Sequence, residues 1–282
     1  MNYLHGLIER RGAHGLWMRG PDAYPYTIIE DTRQADARTA VIIANHESDP
    51  WTDDLTASIN RLDDALEVIV VDDASSDRSL ERIASTTTHP ILAVRLATNT
   101  GNHARPLNLG VMLSRAPHTT FIDADDAVLG NGTVSSREIL ARTPSASGTV
   151  SNLLVHVEPG ARLPWTDDLE RVGNDVYLRR ARTYAFDDLT EYARAIGLRG
   201  FRRETIMRAG GWEESLKGQA DYGLLLKVAR AGPIVPDHHT YYLYRIHGQN
   251  MSFSENASMR EKQAFLTQLR GCAPQRAHSK QR

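Results

Sequence analysis

The stretch EVIVVDDASSDRS, residues 67–79, runs an uninterrupted β-branched segment into an abrupt acidic and hydroxyl-bearing turn. Glu67 to Val71 reads as a strand whose apolar residues do not alternate with polar ones, the pattern of a strand covered on both faces. Asp77 stands as N-cap of a helix running to Ser85, and Glu81 begins that helix's acidic-then-basic pattern. Capping accounts for Asp77. It does not account for Asp72 and Asp73, which are either ordinary turn chemistry or a site, since a carboxylate at a strand end can accept the imide N–H of a uracil or thymine ring.

Outward from this unit, the same strand-then-helix order continues on both sides. Thr39 to Ala44 reads as a buried strand followed by a helix over Asp53 to Leu62; Ile91 to Leu96 is followed by a helix over Arg105 to Arg115; Thr119 to Ile122 is the fourth strand. This alternation predicts an α/β fold with a mostly parallel central sheet flanked by helices. Ligands of such sheets collect at the carboxyl ends of the strands. Polar groups stand at three of those ends: Asn45 to Asp49, Asp72 to Asp77, and Asp123 to Asp126.

The last of these lies in HTTFIDADDAV, residues 118–128, where Asp123, Asp125 and Asp126 follow an apolar run directly. Like charges this close repel, and lost hydration adds to the cost of ionising them. A divalent cation would answer them; the plainer reading is a polar strand exit. In NTGNHARPLNLGV, residues 99–111, Gly101 permits a tight turn, and Arg105 and Asn108 stand near a helix start where free N–H groups favour an anion such as a diphosphate. The P-loop pattern GxxxxGK[ST] is absent.

The second half is less regular. Thr149 to Val157 reads as a strand, Phe201 to Ala209 and Asp221 to Ala231 as helices, Val235 to Ile246 as extended chain, and Glu255 to Arg270 as a terminal helix. Without internal repeat or low-complexity linker, the expectation is one continuous domain over residues 39–253, with an N-terminal extension over 1–38 and a helix and tail over 254–282. Composition is that of a globular protein, with 41% hydrophobic and 24% charged residues among 282. A formal charge of −2 argues against nonspecific binding to nucleic acid. The single cysteine, Cys272, allows neither a disulfide framework nor a thiolate zinc site. No apolar run has the length of a membrane span, and the N-terminus lacks a secretory core, so a soluble, cytoplasmic chain is expected.

VIIANHE, EVIVVDDASSDRS, NTGNHARPLNLGV and FIDADD, in this order, resemble the nucleotide-sugar-binding half of family-2 glycosyltransferases, enzymes of the GT-A fold. Downstream, RGFRRETIMRAGGWEES (199–215) resembles the family's acceptor-side segment, ADYGLLLKVARAG (220–232) its catalytic-base helix, and YLYRIHGQNMS (242–252) its C-terminal Tyr-Arg-x-His segment. The resemblance covers residues 39–253, and implies a nucleotide-sugar half over 39–130 and an acceptor half over 131–253.

The resemblance implies a role for each matching residue. Ala44, Asn45 and Glu47 would border the base and ribose, Asp73 would bind the base with Asp72 in support, and Arg105 would approach the base or diphosphate. Asp123 would lie near ribose or metal, with Ala124 beside it. Asp125 would be the main metal carboxylate, Asp126 a weaker ligand, and His247 would complete the shell. Oxygen-rich ligation suits Mg2+ or Mn2+, and a histidine tilts the balance towards Mn2+. Asp221 would be the catalytic base. With Leu225 and Val228 it follows the i, i+4, i+7 spacing of an inward stripe, although a helix-capping aspartate would look the same. Gly211 and Trp212 would meet the acceptor, the indole stacking on it.

Some positions depart from the family pattern. Ala220 stands where relatives carry a glutamate before the catalytic aspartate, and His103 and Pro106 are unusual neighbours of Arg105. The QxxRW motif of processive synthases is absent. The expected activity is inverting, metal-dependent transfer of one sugar from a nucleoside-diphosphate sugar, preferentially a UDP-sugar. The acceptor would be a hydroxyl or amine of a small molecule, secondary metabolite or glycan, and a homo-oligomer is compatible with the chain. The alternatives are a sugar nucleotidyltransferase, whose Gly-rich first loop ANHESDPW lacks, and a noncatalytic nucleotide-sugar-binding protein. A phosphorelay receiver would need only about half the chain and has no use for the GGW and YRIH segments.

Overall fold

The computed structural model describes residues 23–163, 167–191, 197–216, 219–250 and 265–267. After an edge strand β1 (Tyr26–Asp31), strands and helices alternate. They are β2 (Thr39–Asn45), α1 (Thr52–Ile59, entered through a 3-10 turn at Asp49–Trp51), β3 (Leu66–Asp72), α2 (Ser79–Thr86), β4 (Ile91–Leu96), α3 (Ala104–Leu113) and β5 (His118–Phe121). The pairs β2–β3, β3–β4 and β2–β5 are parallel. Their unbroken apolar runs have a direct cause, because both faces are covered. Ala40, Ile42, Ile69, Val71, Leu92 and Val94 pack in one layer, while Val41, Ile43, Val68, Val70, Ile91 and Ala93 pack in the other.

The chain steps outward from β2 through β3 to β4, then returns to place β5 on the other side of β2. This reversal opens a crevice at the carboxyl ends of β2 and β5, where a ligand can sit. Beyond β5 come β6 (Ala127–Val128), α4 (Gly132–Arg142), β7 (Gly148–Val157), the hairpin of β8 (Glu170–Gly173) and β9 (Val176–Arg179), and α5 (Phe186–Glu191). β10 (Arg199–Arg202), α6 (Arg203–Ala209), α7 (Ala220–Ala229) and β11 (Ile234–Ile246) follow. The sheet runs β1-β4-β3-β2-β5-β10-β7-β11-β6, with β9 attached to β7. Antiparallel β10 fills the gap between β5 and β7, and parallel β11 extends the sheet beyond β7. The result is a mixed sheet with mostly parallel central strands flanked by helices, the GT-A arrangement the motifs implied.

Several expectations change. The stretch before residue 39 contributes β1, paired antiparallel to β4, and Tyr24 is buried. Phe201 to Ala209 is not one helix: Arg199–Arg202 is strand, because it completes ladders with two neighbours, and the helix begins at Arg203. Asp77 lies before the N-cap, Arg78, yet its carboxylate accepts the Ser79 N–H at 3.0 Å and the Asp49 N–H at 2.9 Å. The expected terminal helix over 255–270 lies outside the described residues, except 265–267. No helix among the described residues is long and apolar enough to cross a membrane.

Candidate active site

The ends of β2 and β3 form a buried polar brace. Asn45 and Asp72 pair in register, and the Asn45 amide donates to Asp72 Oδ1 at 2.6 Å and to Ser79 Oγ at 2.8 Å. Asp72 also accepts the Ser75 N–H at 3.0 Å and Arg95 Nε at 2.9 Å, and its side chain is fully buried. Each polar atom that burial strips of water thereby regains a partner. Asn45 and Asp72 therefore hold the two strand ends in register beneath the site, with Ala44 half-buried beside them. Exposed Glu47, at φ +50, accepts the Ser76 N–H at 2.6 Å and so ties the two loops together. Asp73 accepts the Thr100 N–H at 2.9 Å and the Thr100 hydroxyl at 2.9 Å; burial raises its pKa. Gly101 turns at φ +76, as its sequence context suggested.

The β5 exit separates its three acids. Asp126 is fully buried, accepts the Arg245 N–H of β11 at 2.8 Å, and is pushed well above the usual carboxylate range by burial and by Asp125 and Asp123. It points into the fold as a tie between the exit loop and β11. Ala124 is buried, and Asp125 turns outward to His247, whose Nε2 lies 2.9 Å from Asp125 Oδ2. Trp51 stacks on His247 with ring centroids 4.1 Å apart, a contact unmarked by any motif in the sequence. Asp123 is half-buried, and its pKa is pushed up to about 6 on balance: lost hydration raises it most, Arg199 pulls it down, and Asp221 and Asp125 push it up.

The 210–214 turn, expected to face the acceptor, is fixed by α3 and α6. Gly210 closes α6 in the left-handed conformation at φ +79, and Gly211 follows at φ +65. Asn108 of α3 then clamps the next residue twice, accepting the Trp212 N–H at 2.8 Å and donating to the Trp212 carbonyl at 3.0 Å. Arg105 Nε donates to Glu214 Oε2 at 3.0 Å, and Asn108 and Tyr24 also reach Glu214. The 99–111 segment thus grips the 210–214 turn. Its helix start is already served in part, since Asn102 accepts the Ala104 N–H at 2.9 Å. Trp212 is only 3% exposed and sits edge-on to Phe121 at 4.7 Å, which leaves no ring face for an acceptor. The indole packs in the core, and its N–H points at Asp221.

Asp221, at the start of α7, is 32% exposed and is the focus of this half. Oδ1 accepts the Trp212 indole N–H at 2.7 Å and lies 3.5 Å from His103 Nε2; Oδ2 lies 2.6 Å from Arg199 Nη1. Burial works to raise Asp221, but the Arg199 guanidinium and His103 hold it well below the usual carboxylate range. Arg199 itself is 8% exposed and feels both Asp221 and Asp123, so one buried cation serves the acids of α7 and of the β5 exit. Sequence reading marked neither Arg199 nor His103 as functional. The only hint was that His103 is unusual in its segment.

Among the described residues no three metal-ligating side chains converge as a preformed cluster. Asp125 and His247 nevertheless bring a carboxylate and an imidazole within 2.9 Å of each other. That donor set fits Mn2+ or Mg2+ completed by diphosphate oxygens and water.

Comparison with known proteins agrees with this architecture. The structure resembles that of S. aureus TarS residues 1–349 in complex with UDP-GlcNAc, with TM-score 0.61 and 17% identity over 86% of this chain and 69% of that one. It also resembles the mannosyltransferase PcManGT from Pyrobaculum calidifontis, in complex with GDP-Man and Mn2+, with TM-score 0.53 and 14% identity over 97% and 83%. Against the longer TarS structure the match covers 74% of this chain but only 37% of that chain, so this chain spans well under two thirds of that protein's length. At these identities the likeness establishes the fold. No curated protein matches the sequence. The sequence over residues 40–205, from the second residue of β2 into α6, matches glycosyl transferase family 2, and the strand-end acids lie within that match. With more than half its length matched and the sheet order to go with it, the chain belongs to glycosyl transferase family 2, a family of nucleotide-sugar-dependent transferases.

Proposed function

We propose that this enzyme transfers one sugar, with inversion at the anomeric carbon, from a nucleoside-diphosphate sugar to a hydroxyl or amine of a small-molecule, secondary-metabolite or glycan acceptor. A UDP-sugar is the preferred donor. The observation that carries this reading is the meeting of Asp123, from the β5 exit, and Asp221, from α7, around the buried guanidinium of Arg199. A donor-side and an acceptor-side carboxylate thus share one crevice.

In this reading Ala44, Asn45, Glu47, Asp72 and Asp73 shape the nucleoside end, Asp73 beneath the base and Asp72 behind it. Asp123, Ala124 and Asp125 face ribose and diphosphate, and Gly211 sets the acceptor-side turn. Arg105 adds positive charge near the diphosphate while tied to Glu214. Asp125 and His247, with Asp123 behind, would hold Mn2+ or Mg2+, which when bound offsets the charge building on the departing diphosphate. Asp221 would act as the catalytic base, taking the acceptor's proton as its oxygen attacks the anomeric carbon.

The test is a thermal-shift screen of UDP-glucose, UDP-N-acetylglucosamine and GDP-mannose with and without Mn2+, since a ligand that binds only the folded state stabilises by mass action. Metal-dependent stabilisation by at least one donor is expected, and Asp125→Ala should remove the metal increment. If no donor raises Tm under either condition, the reading fails.

A further inference from the structure

A cavity of about 410 Å3 lies at the end of the sheet opposite the crevice, walled by the turn between α3 and β5 and by the junction of β10 with α6. The antiparallel pairing of β5 and β10 sets His118 opposite Arg202, and the Arg203 N–H donates to the Pro117 carbonyl at 2.8 Å, so backbone bonds fix both walls. Three guanidinium groups line it: Arg115 from the turn, and Arg202 and Arg203 from the junction. Arg202 and Arg203 are half-buried, yet their hydrogen bonds go to main-chain carbonyls. Arg202 Nη1 donates to Ala146 at 2.7 Å; Arg203 Nε donates to Val111 at 2.9 Å and Nη2 to Met112 at 3.2 Å. A carbonyl satisfies an N–H but carries no net charge. Among the described residues none of the three arginines forms an ion pair with a carboxylate, and Arg202 Nε and Arg203 Nη1 have no hydrogen-bond partner.

The nearby acids do not cancel these charges. Glu204, the one acid in the wall, pairs with Arg208 a turn further along α6. Asp31 is held by Arg33 at 2.9 Å and Asp64 by Arg137 at 2.6 Å. Glu67 is buried behind the turn, where Oε1 accepts the Ser114 hydroxyl at 2.9 Å and the Arg115 and Ala116 N–H groups at 2.7 Å each. Setting Glu67 against the three arginines leaves an excess of two positive charges. Neighbouring groups feel that field. Burial pulls Arg203 below its ordinary pKa, and Glu67 offsets this only in part. His118 is held down to about 4 by burial and by the Arg137 and Arg202 cations, against the pull of Asp64.

We infer that this cavity binds the phosphate group of a small organic phosphomonoester. Such a group carries close to two negative charges at neutral pH and offers three acceptor oxygens, which matches both the excess charge and the number of guanidinium groups. A carboxylate would bring half that charge and one oxygen fewer. Guanidinium is also well suited to phosphate, because its planar fork can bond two oxygens at once. The cavity is larger than a phosphate group needs, and its volume falls in the range of small-molecule sites, about 300–1,000 Å3. The rest of the ligand would lie against Pro117 and Met207, the apolar part of the wall. His118 and Phe121 are opposite ends of β5, as Arg202 and Arg199 are of β10, so the cavity and the crevice are separate. Occupancy here does not depend on the transferase reading above.

The experiment uses the full chain with carbon-13 in its methionine methyl groups, because Met207 is part of the cavity wall. Its NMR signal is identified by its loss in Met207→Leu. Inorganic phosphate and phenyl phosphate are titrated separately at neutral pH, with chloride adjusted to hold ionic strength constant. Both should shift the Met207 signal to saturation, phenyl phosphate with the lower Kd because its ring meets the apolar wall. Arg115 is exposed, so Arg115→Glu should leave Tm near that of wild type and raise both Kd values by about 3–30-fold. Glu204→Gln removes the acid from the wall and should lower them by about 1.5–5-fold. A Met207 signal that neither probe moves at tens of millimolar would overturn the inference. So would a shift with the same Kd in wild type and Arg115→Glu, which places the anion elsewhere. Equal Kd values for the two probes would overturn the assignment of an organic phosphate.

Discussion

At the scale of single residues, the site is built from side chains with two duties. Trp212 fills the space beside Phe121 and also donates its indole N–H to Asp221 in a hydrogen bond. The two duties can be separated. Trp212→Ala should lose about 3–5 kcal/mol of stability, the usual cost of emptying a buried aromatic position. Trp212→Phe should keep most of that packing but lose a hydrogen bond to a charged group, about 1.5–3 kcal/mol, or roughly 10–100-fold in kcat. Urea denaturation and steady-state kinetics on both variants check this. A Phe variant with raised acceptor KM and intact kcat would mean that the ring meets the acceptor after all. The same residue also marks what the sequence hides. Gly-Gly-Trp announced a helix end, but whether the indole faced solvent or core depended on Asn108, a helix away, clamping its backbone.

At the scale of elements, the packing of α3 on the sheet decides how close the 99–111 segment comes to the site. Gly110 makes that approach possible: a Cβ there would stand 2.5 Å from Ile42 Cγ2, a fully buried methyl on β2. Gly110→Ala should therefore push α3 off β2 and destabilise by about 1–3 kcal/mol, as overpacking does. Because His103, Arg105 and Asn108 all ride on this helix or its cap, activity should fall by more than the stability loss explains. Activity at a temperature well below Tm, compared with the denaturation midpoint, tests this. A fully stable, fully active variant would show that α3 has slack. Elements with strong periodicity and two covered faces, β2 to β5 and the helices between them, were legible in sequence to within a few residues. β10 was not. Four residues carry it, and only the ladders it makes with β5 and β7 turn Arg-Gly-Phe-Arg into strand rather than helix.

At the scale of the whole molecule, stability should depend on pH through a histidine remote from the site. His118 begins β5, at the end of the sheet opposite the crevice, and is held down to about 4 by burial and by the Arg137 and Arg202 cations. An unfolded chain's imidazole titrates near 6.5, so as pH falls the unfolded state takes the proton first. This contribution is therefore intact above pH 6.5 and is lost as pH falls towards about 4, by roughly 3 kcal/mol when complete. Urea titrations at pH 7.5 and pH 5 should show a larger loss for wild type than for His118→Gln, in which nothing titrates at that position. Equal losses would place the acid sensitivity elsewhere.

The sequence by itself determined the parallel core, the strand-end positions of Asp72, Asp73, Asp123 and Asp125, and the family whose motifs follow one another in this order. These properties are local: apolar runs, caps and turns are written in neighbouring residues. Tertiary structure alone decided the division of labour. It turned Asp126 inward to β11, set Asp125 against His247, and committed Asn45 and Asp72 to bracing. It also brought Arg199 and His103 onto Asp221 from elements far apart in the chain. The reason is physical. A side chain's protonation state and free lone pairs are set by what lies within a few ångströms of it, and that neighbourhood is assembled from distant segments only when the sheet closes.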